Sequence, residues 1–346
     1  MGIQSKNLSA IDFAKFVFAI LVVSIHTGPL DSYTKFGSWF FADVIAGLAV
    51  PFFFMTSCYF FFSKLTFAKG KIEKTKENFS RFKKYFVRIL LLYVLWSAIY
   101  LCWQIPEWIC TGWFSAAAFV DYFKSALVSA SYYHMWYVLA LLYIIPIMYF
   151  LLRHINIKIF SIIMSIVYVA GVLFYTFGEY APSILNELRS FVPTSALSVL
   201  LIMPSVTPCL FIDKIRLKQS YNLLLFVAFY ILFVLESVLV YLYTERSTNS
   251  QYAFMIVPTI YFLLVWLKNC KWNISAKTAT TLRNMSSLIY FAHPMIINLF
   301  GLAVAKDAIN GILYYVIISV LSVVFAFALS FINSKSKKFR MLSYFM

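Results

Sequence analysis

The chain has 346 residues, of which 62% are hydrophobic and only 12% charged, so it lies far from the roughly one-quarter charged make-up of soluble domains. That balance excludes a soluble globular enzyme and reads as a polytopic membrane protein. The formal net charge of +16 is explained by cations gathered at one membrane face and needs no nucleic-acid partner.

Apolar runs of about 20 residues, the length a helix needs to cross a bilayer, are expected at 11–30, 39–63, 85–104, 134–152, 158–177, 193–212, 220–243, 251–267, 284–304 and 311–332. Only helices satisfy their own backbone hydrogen bonds at such lengths in lipid. The expected fold is therefore all-α, a polytopic transmembrane helical bundle of about ten spans, forming a single domain over residues 1–346 with no soluble domain appended. With the N-terminus inside, most basic residues fall on one face, and Lys35, Lys124, Arg189, Arg246 and Lys306 fall on the other. Positive residues collect on the cytoplasmic side, which places both termini there and the protein among anionic membrane lipids.

Three ionisable residues interrupt the first span: Asp12, Lys15 and His26. Eleven residues separate Lys15 from His26, which is three turns plus about 20°, so the two leave one helix face roughly 16 Å apart. Ionisable residues within a span usually face the bundle interior and mark function. On this helix alone, a snorkelling Lys15 and an interfacial His26 explain the pattern equally well. The residues after His26 show no small-x-small cleavage pattern, so the segment is expected to remain as a span and not to be removed as a signal peptide.

The second span carries Asp43 near the outer surface and runs inward through Pro51 to Thr56-Ser57-Cys58. Pro51 can bend the helix, and the small residues suit either close helix packing or a ligand. A basic loop follows, with nine cations between Lys64 and Arg88. Lys84 and Arg88 stand one turn apart where the third span enters the membrane, a pair that suits a phosphate-bearing ligand as well as the positive-inside rule. Residues 106–131 read as an outward connection with a surface helix near Asp121 and Lys124, either a cap on the outer mouth or a passive interfacial helix. Glu236 lies inside a span and calls for a polar partner, structural in role. His154 reads as solvated, and the five cysteines show neither metal-ligand spacing nor a dense disulfide framework.

Five short motifs now stand in order along the chain, and together they resemble the acyltransferase-3 family of integral membrane acyltransferases. Ile11-Asp12-Phe13-Ala14-Lys15, ten residues and His26 resemble the family's Leu-Asp-x-x-Arg followed by His. Phe53-Phe54-Met55-Thr56-Ser57-Cys58-Tyr59 is similar to Phe-Phe-x-x-Ser-Gly-Tyr, and Tyr85-Phe86-Val87-Arg88-Ile89 to Arg-x-x-Arg-Ile. His134-Met135-Trp136-Tyr137 and Ser287-Leu288-Ile289-Tyr290-Phe291-Ala292-His293-Pro294 complete the series. There are three departures: Lys15 for Arg, Cys58 for Gly, and Tyr85 for the first Arg of the pair, where Lys84 or Arg81 could supply the missing cation. Lysine keeps the charge and loses the planar fork.

The resemblance implies an O-acyltransferase of the bacterial cell membrane that moves an acetyl or similar short acyl group from acyl-coenzyme A, acetyl-coenzyme A foremost, to a hydroxyl of an envelope glycan or lipid-linked sugar. On that basis His26 is the general base and Asp12 is counted with it as catalytic; Lys15, Ser57, Lys84 and Arg88 hold the donor; and His134, Trp136, Tyr137 and His293 meet the acceptor, with no metal. Histidine suits a base because its unperturbed pKa near 6.5 lets it exchange a proton at neutral pH. The stretch from Ile25 to Leu30 with Pro51 to Met55 also resembles the membrane half of the serine/alanine racemases of vancomycin resistance, which leaves a transporter of a small polar solute such as serine as the alternative.

Overall fold

The computed structural model describes residues 8–177, 194–244, 253–272, 274–304 and 308–335. Eleven helices can be numbered along them: α1 Ser9–Thr27, α2 Lys35–Phe62, α3 Lys76–Thr111, α4 Ala116–Val128, α5 Trp136–Leu152, α6 Ile157–Phe177, α7 Thr194–Val206, α8 Gln219–Thr244, α9 Ile256–Asn269, α10 Ala276–Ala303 and α11 Gly311–Lys335. Eight helical stretches among the described residues are long and apolar enough to cross a membrane, so the chain is an all-α, multi-pass membrane protein. Two of the ten expected spans are shorter than a crossing needs: α9 has 14 residues, and α7 has 13 before the chain tightens into a 3₁₀ segment over Thr207–Lys214. The start of the span at 251–267, the first residue of that at 193–212, and the cations Lys6, Arg189, Arg246 and Lys306 lie outside the described residues.

Helix ends follow local chemistry more closely than hydropathy. The first span stops at Thr27 and not at residue 30, because Gly28 takes a left-handed φ of 61° and its amide closes on Ser24 O at 3.0 Å. A Cβ there would also collide with the Asp31 carboxylate, so glycine is required twice over. The third span starts earlier than expected, capped by Thr75 Oγ1, which accepts from the Asn78 amide at 3.1 Å. It ends later, running through Pro106 to Thr111. Residues 106–111, read from the sequence as connection, are therefore helical.

The chain divides into two compact units. One is formed by the chain up to Thr56 with that from Phe211 onward, and the other by Ser57–Leu210. In the first unit α1 packs along α10, α10 against α11, and α8 against α9. Ala19 of α1 and Ala292 of α10 are fully buried, and small residues of this kind let membrane helices approach closely. α2 enters this unit through a π-helical turn, Phe40–Ile45, that carries Asp43, and a 3₁₀ turn, Ala46–Leu48. π turns inside helices cluster at functional sites.

Glu236 of α8 finds its partners on the backbone. Its two oxygens accept from the amides of Phe254 and Met255 at 2.7 and 2.8 Å, at the start of α9, where the first amides have no intrahelical acceptor and the dipole favours an anion. Replacing Glu236 by Ala should lower the melting temperature of the solubilised protein, because an orphaned donor costs about 1–3 kcal/mol. Glu236→Gln should fall between. Equal melting of all three would show that the cap contributes nothing.

In the second unit α3 packs on α5, and α6 and α5 on α7. The basic loop is not plain chain here. It holds a two-stranded hairpin, β1 Phe67–Ala68 and β2 Lys71–Ile72, turned at Lys69 and Gly70 with φ of 48° and 75°. Asn156 donates to Lys69 O at 2.8 Å and the Ile157 amide to Gly70 O at 2.7 Å, which ties the hairpin to the turn before α6. The buried Asn78 side chain bonds Thr66 and Glu73 from inside the loop.

Candidate active site

In the first unit the ionisable residues of α1 meet α10 at two levels. At one level Asp12, buried on α1, stands 3.8 Å from the guanidinium of Arg283. Lys15 lies one turn along the same helix, within reach of Asp12 by the i, i+3 spacing. Arg283 is half-exposed, its side chain at 51%, so it retains a face for a further anion. At the other level His26, in the last turn of α1, stacks on His293 with ring centroids 5.2 Å apart and planes 26° from parallel. Asp12 precedes His26 and Arg283 precedes His293, so the two helices run in the same direction. Fourteen residues of rise put the two levels of α1 about 21 Å apart.

His293 is fully buried and its Nδ1 lies 3.0 Å from Ile289 O. A carbonyl only accepts, so Nδ1 carries the proton of the neutral ring and Nε2 keeps its lone pair. Pro294 follows within the helix and brings no amide hydrogen of its own.

The second unit holds the other expected site residues in separate arrangements. Ser57 Oγ, on the last turns of α2, bonds Tyr137 OH of α5 at 2.8 Å. Tyr85 OH of α3 donates to the carbonyl of the same Ser57 at 3.3 Å. Tyr85, which stands where the family pattern has arginine, therefore braces the backbone at Ser57 and brings no charge. Arg81, one turn earlier, forms an i, i+4 pair with Glu77 at 2.5 Å, so that substitute cation is engaged. Lys84 and Arg88 are exposed one turn apart on α3 and form the cationic stripe at this end of the helix.

His134 sits in a short 3₁₀ turn before α5, 2% exposed. Tyr100, Tyr132 and Tyr133 all approach it edge-on, at 5.0, 5.8 and 5.6 Å. Trp136 opens α5 beside it. His154 follows α5 in an exposed inter-helix turn. No group of three or more His, Cys, Asp or Glu among the described residues is arranged to hold a metal.

Sequence reasoning missed Arg283 and the bracing role of Tyr85. Arg283 was counted only as one of the cytoplasmic cations. A signal for it existed: a cation followed by a histidine at nearly the same interval recurs on α10, ten residues from Arg283 to His293, beside eleven from Lys15 to His26.

Comparison with known proteins adds three findings. A family described as an acyltransferase domain, the acyltransferase-3 type, matches residues 8–331. A stretch of 54 residues is 46% identical to an amino-acid racemase of Enterococcus faecalis, over 16% of this chain and 8% of that protein's length. No solved structure matches the chain significantly.

Proposed function

The chain belongs to the acyltransferase-3 family, and from that premise we propose that this membrane acyltransferase moves an acetyl or similar short acyl group from cytoplasmic acyl-coenzyme A to a hydroxyl of an extracytoplasmic envelope glycan or lipid-linked sugar. The observation that carries the reading is the two-level arrangement of α1 and α10, with Asp12, Lys15 and Arg283 at one level and the His26–His293 stack about 21 Å away along α1. A donor with anionic phosphates at one end of a long arm and a reactive thioester at the other is matched by cations at one depth and a base at the second. The donor is a substrate in this reading. Arg283 is suited to its phosphates, since charge-assisted bonds to phosphate are the strong ones, and the exposed Lys84–Arg88 stripe of the second unit carries the same chemistry by itself.

The chemistry follows from imidazole at the second level. His26 accepts the proton of the acceptor hydroxyl as its oxygen attacks the thioester carbonyl; an ester bond forms, the carbon–sulfur bond breaks, and the proton passes to the departing thiolate. His293, held by Ile289 O, supports the face of His26 through the stack. The bacterial cell membrane is the setting proposed for this reaction.

Labelled acetyl-coenzyme A incubated with the purified chain and a panel of envelope sugars should yield labelled ester, and envelope polymers from cells lacking the chain should lose acyl mass. Protein that neither binds the donor nor transfers label overturns the proposal. A second reading, transport of a small polar solute such as serine, is favoured by the short identity to an amino-acid racemase and by Tyr85 in place of arginine. Solute uptake into proteoliposomes without coenzyme A would establish it.

A further inference from the structure

The far end of α3 carries a feature that donor binding does not use. The helix has 36 residues, about 54 Å at 1.5 Å per residue, against a hydrocarbon core of about 30 Å. Its basic end, Lys76 to Arg88, occupies one interface, and about twenty further residues carry it across. Trp108 and Thr111 therefore stand at the opposite interface, with Gln104 and Glu107 within about a turn of it, and that interface is the outer one by the distribution of cations.

There the chain is folded back sharply. Gly112 ends the helix at φ 75°, and the amides of Trp113 and Phe114 both donate to Trp108 O, at 2.8 and 3.1 Å. Trp113, 74% exposed, has its backbone held at this turn and borders a cleft of about 410 Å³ lined by Gln104, Glu107, Trp108, Thr111, Trp113 and Tyr132. The walls are stiff. Tyr132 stacks on Tyr100 at 4.3 Å, and Trp108 meets Phe119 and Tyr122 of α4 edge-on. Tyr122 OH in turn bonds Ser97 O of α3 at 2.6 Å, and Tyr93 OH bonds Ala126 O at 2.6 Å. α4 is thereby hydroxyl-tied to α3 and forms a fixed flank of this end.

We propose that this cleft is a saccharide-binding subsite that holds a pyranose ring of the acceptor, with Trp113 as its stacking platform and Glu107 and Gln104 as its hydroxyl partners. This assignment rests on the acyl-transfer reading for its place in the reaction. Ligand sites of this size combine aromatic walls with a few convergent polar groups. A pyranose matches both, because its C–H faces pack on aromatic rings while its hydroxyls donate to a carboxylate and pair with an amide that both donates and accepts. An interfacial aromatic belt explains tryptophan at this depth, but a belt needs no concavity, no carboxylate and no amide facing it. An aromatic cage for a quaternary ammonium is the nearest chemical rival; Gln104, a neutral amide that both donates and accepts, favours the polyhydroxyl ligand, while the Thr111 hydroxyl donates to Glu107 O.

The test is binding without turnover. Full-length protein in lipid nanodiscs is titrated with chitotetraose, with maltotetraose and with phosphocholine, with indole fluorescence and calorimetry as readouts. Saturable binding of at least one saccharide is expected. It should weaken by about tenfold or more in Trp113→Ala, as loss of a tryptophan anchor does, weaken in Glu107→Gln, and recover in Trp113→Phe. Flat saccharide titrations, affinities unchanged in both Trp113→Ala and Glu107→Gln, or binding of phosphocholine in place of sugars would overturn the assignment. Acetyl-coenzyme A binding is measured on the same samples. Sugar binding without donor binding would sink the acyl-transfer reading and leave the cleft intact, whereas transfer that proceeds with no dependence on Trp113 or Glu107 would sink the cleft alone.

Discussion

His26→Ala should reduce acyl transfer by about 10²–10⁴-fold, the usual contribution of a positioned general base, while acetyl-coenzyme A still binds with affinity close to wild type. The separation is expected because His26 occupies the last turn of α1, stacked on His293, about 21 Å along the helix from Asp12 and its Arg283 partner. A residue whose interaction exists only in the transition state lowers kcat and kcat/KM together. His293→Ala should also lower kcat, by less, since His293 is held by its own helix through Ile289 O and acts on His26 through the stack. Arg88→Ala should do the reverse, raising the donor concentration needed for half-saturation and leaving kcat at saturation nearly unchanged, because a charge-assisted bond to phosphate serves binding. Single-turnover kinetics with labelled donor, run beside equilibrium titration, read the two quantities separately. Identical binding defects in His26→Ala and Arg88→Ala would refute the division of roles.

How far the sequence foretold this site can be judged residue by residue. Asp12, Lys15 and His26 were legible because charge inside an apolar run is costly and therefore conspicuous. Arg283 was not, since it lies near the start of α10, where positive residues collect anyway, and its approach to Asp12 depends on α1 and α10 running parallel in contact, which hydropathy does not encode. Tyr85 read as the loss of a cation; its hydroxyl bond to Ser57 O needs knowledge of which turn of α2 faces α3. Helix identity was legible from apolar length, and helix ends were not. Gly28 and Gly112 stop α1 and α3 by taking left-handed φ, while the apolar pattern carries on past the first and fades before the second. The passage of α3 through Pro106 shows the same limit, because a proline removes one backbone donor and need not end a helix. The cleft at that end escaped the sequence because Trp113 and Tyr132 join the Gln104–Thr111 face of α3 only through the fold-back at Gly112 and the return of the chain beyond α4.

Arg283→Ala should weaken acetyl-coenzyme A binding by about ten- to a hundredfold, the equivalent of losing one charge-assisted hydrogen bond, and Lys15→Arg should restore part of the loss. An ammonium is a single charge on a flexible stem and makes a poorer clamp on phosphate than a planar guanidinium. The structure brings such a guanidinium to the same turn of α1 from another helix: Arg283 of α10, 3.8 Å from Asp12 and half-exposed. Asp12 thus stands between two cations and orients the one that reaches it. Removing Arg283 takes away a phosphate donor and also strips Asp12 of its partner, leaving a carboxylate that repels the anionic donor; removing Lys15 alone leaves the Asp12–Arg283 pair in place and should cost less. Lys15→Arg in the wild-type background should preserve or tighten affinity. Asp12→Asn combined with Arg283→Ala should be less damaging than the sum of the two changes, because the groups act as one unit. Titrating acetyl-coenzyme A against the wild type and these variants decides the matter: flat curves throughout would remove the donor from α1 and α10 and favour the transport reading, equal affinity in wild type and Arg283→Ala would return the clamp to Lys15 alone, and a loss confined to Arg283→Ala and Lys15→Ala would fix the donor's charged end at the Asp12 level, about 21 Å from His26 along α1.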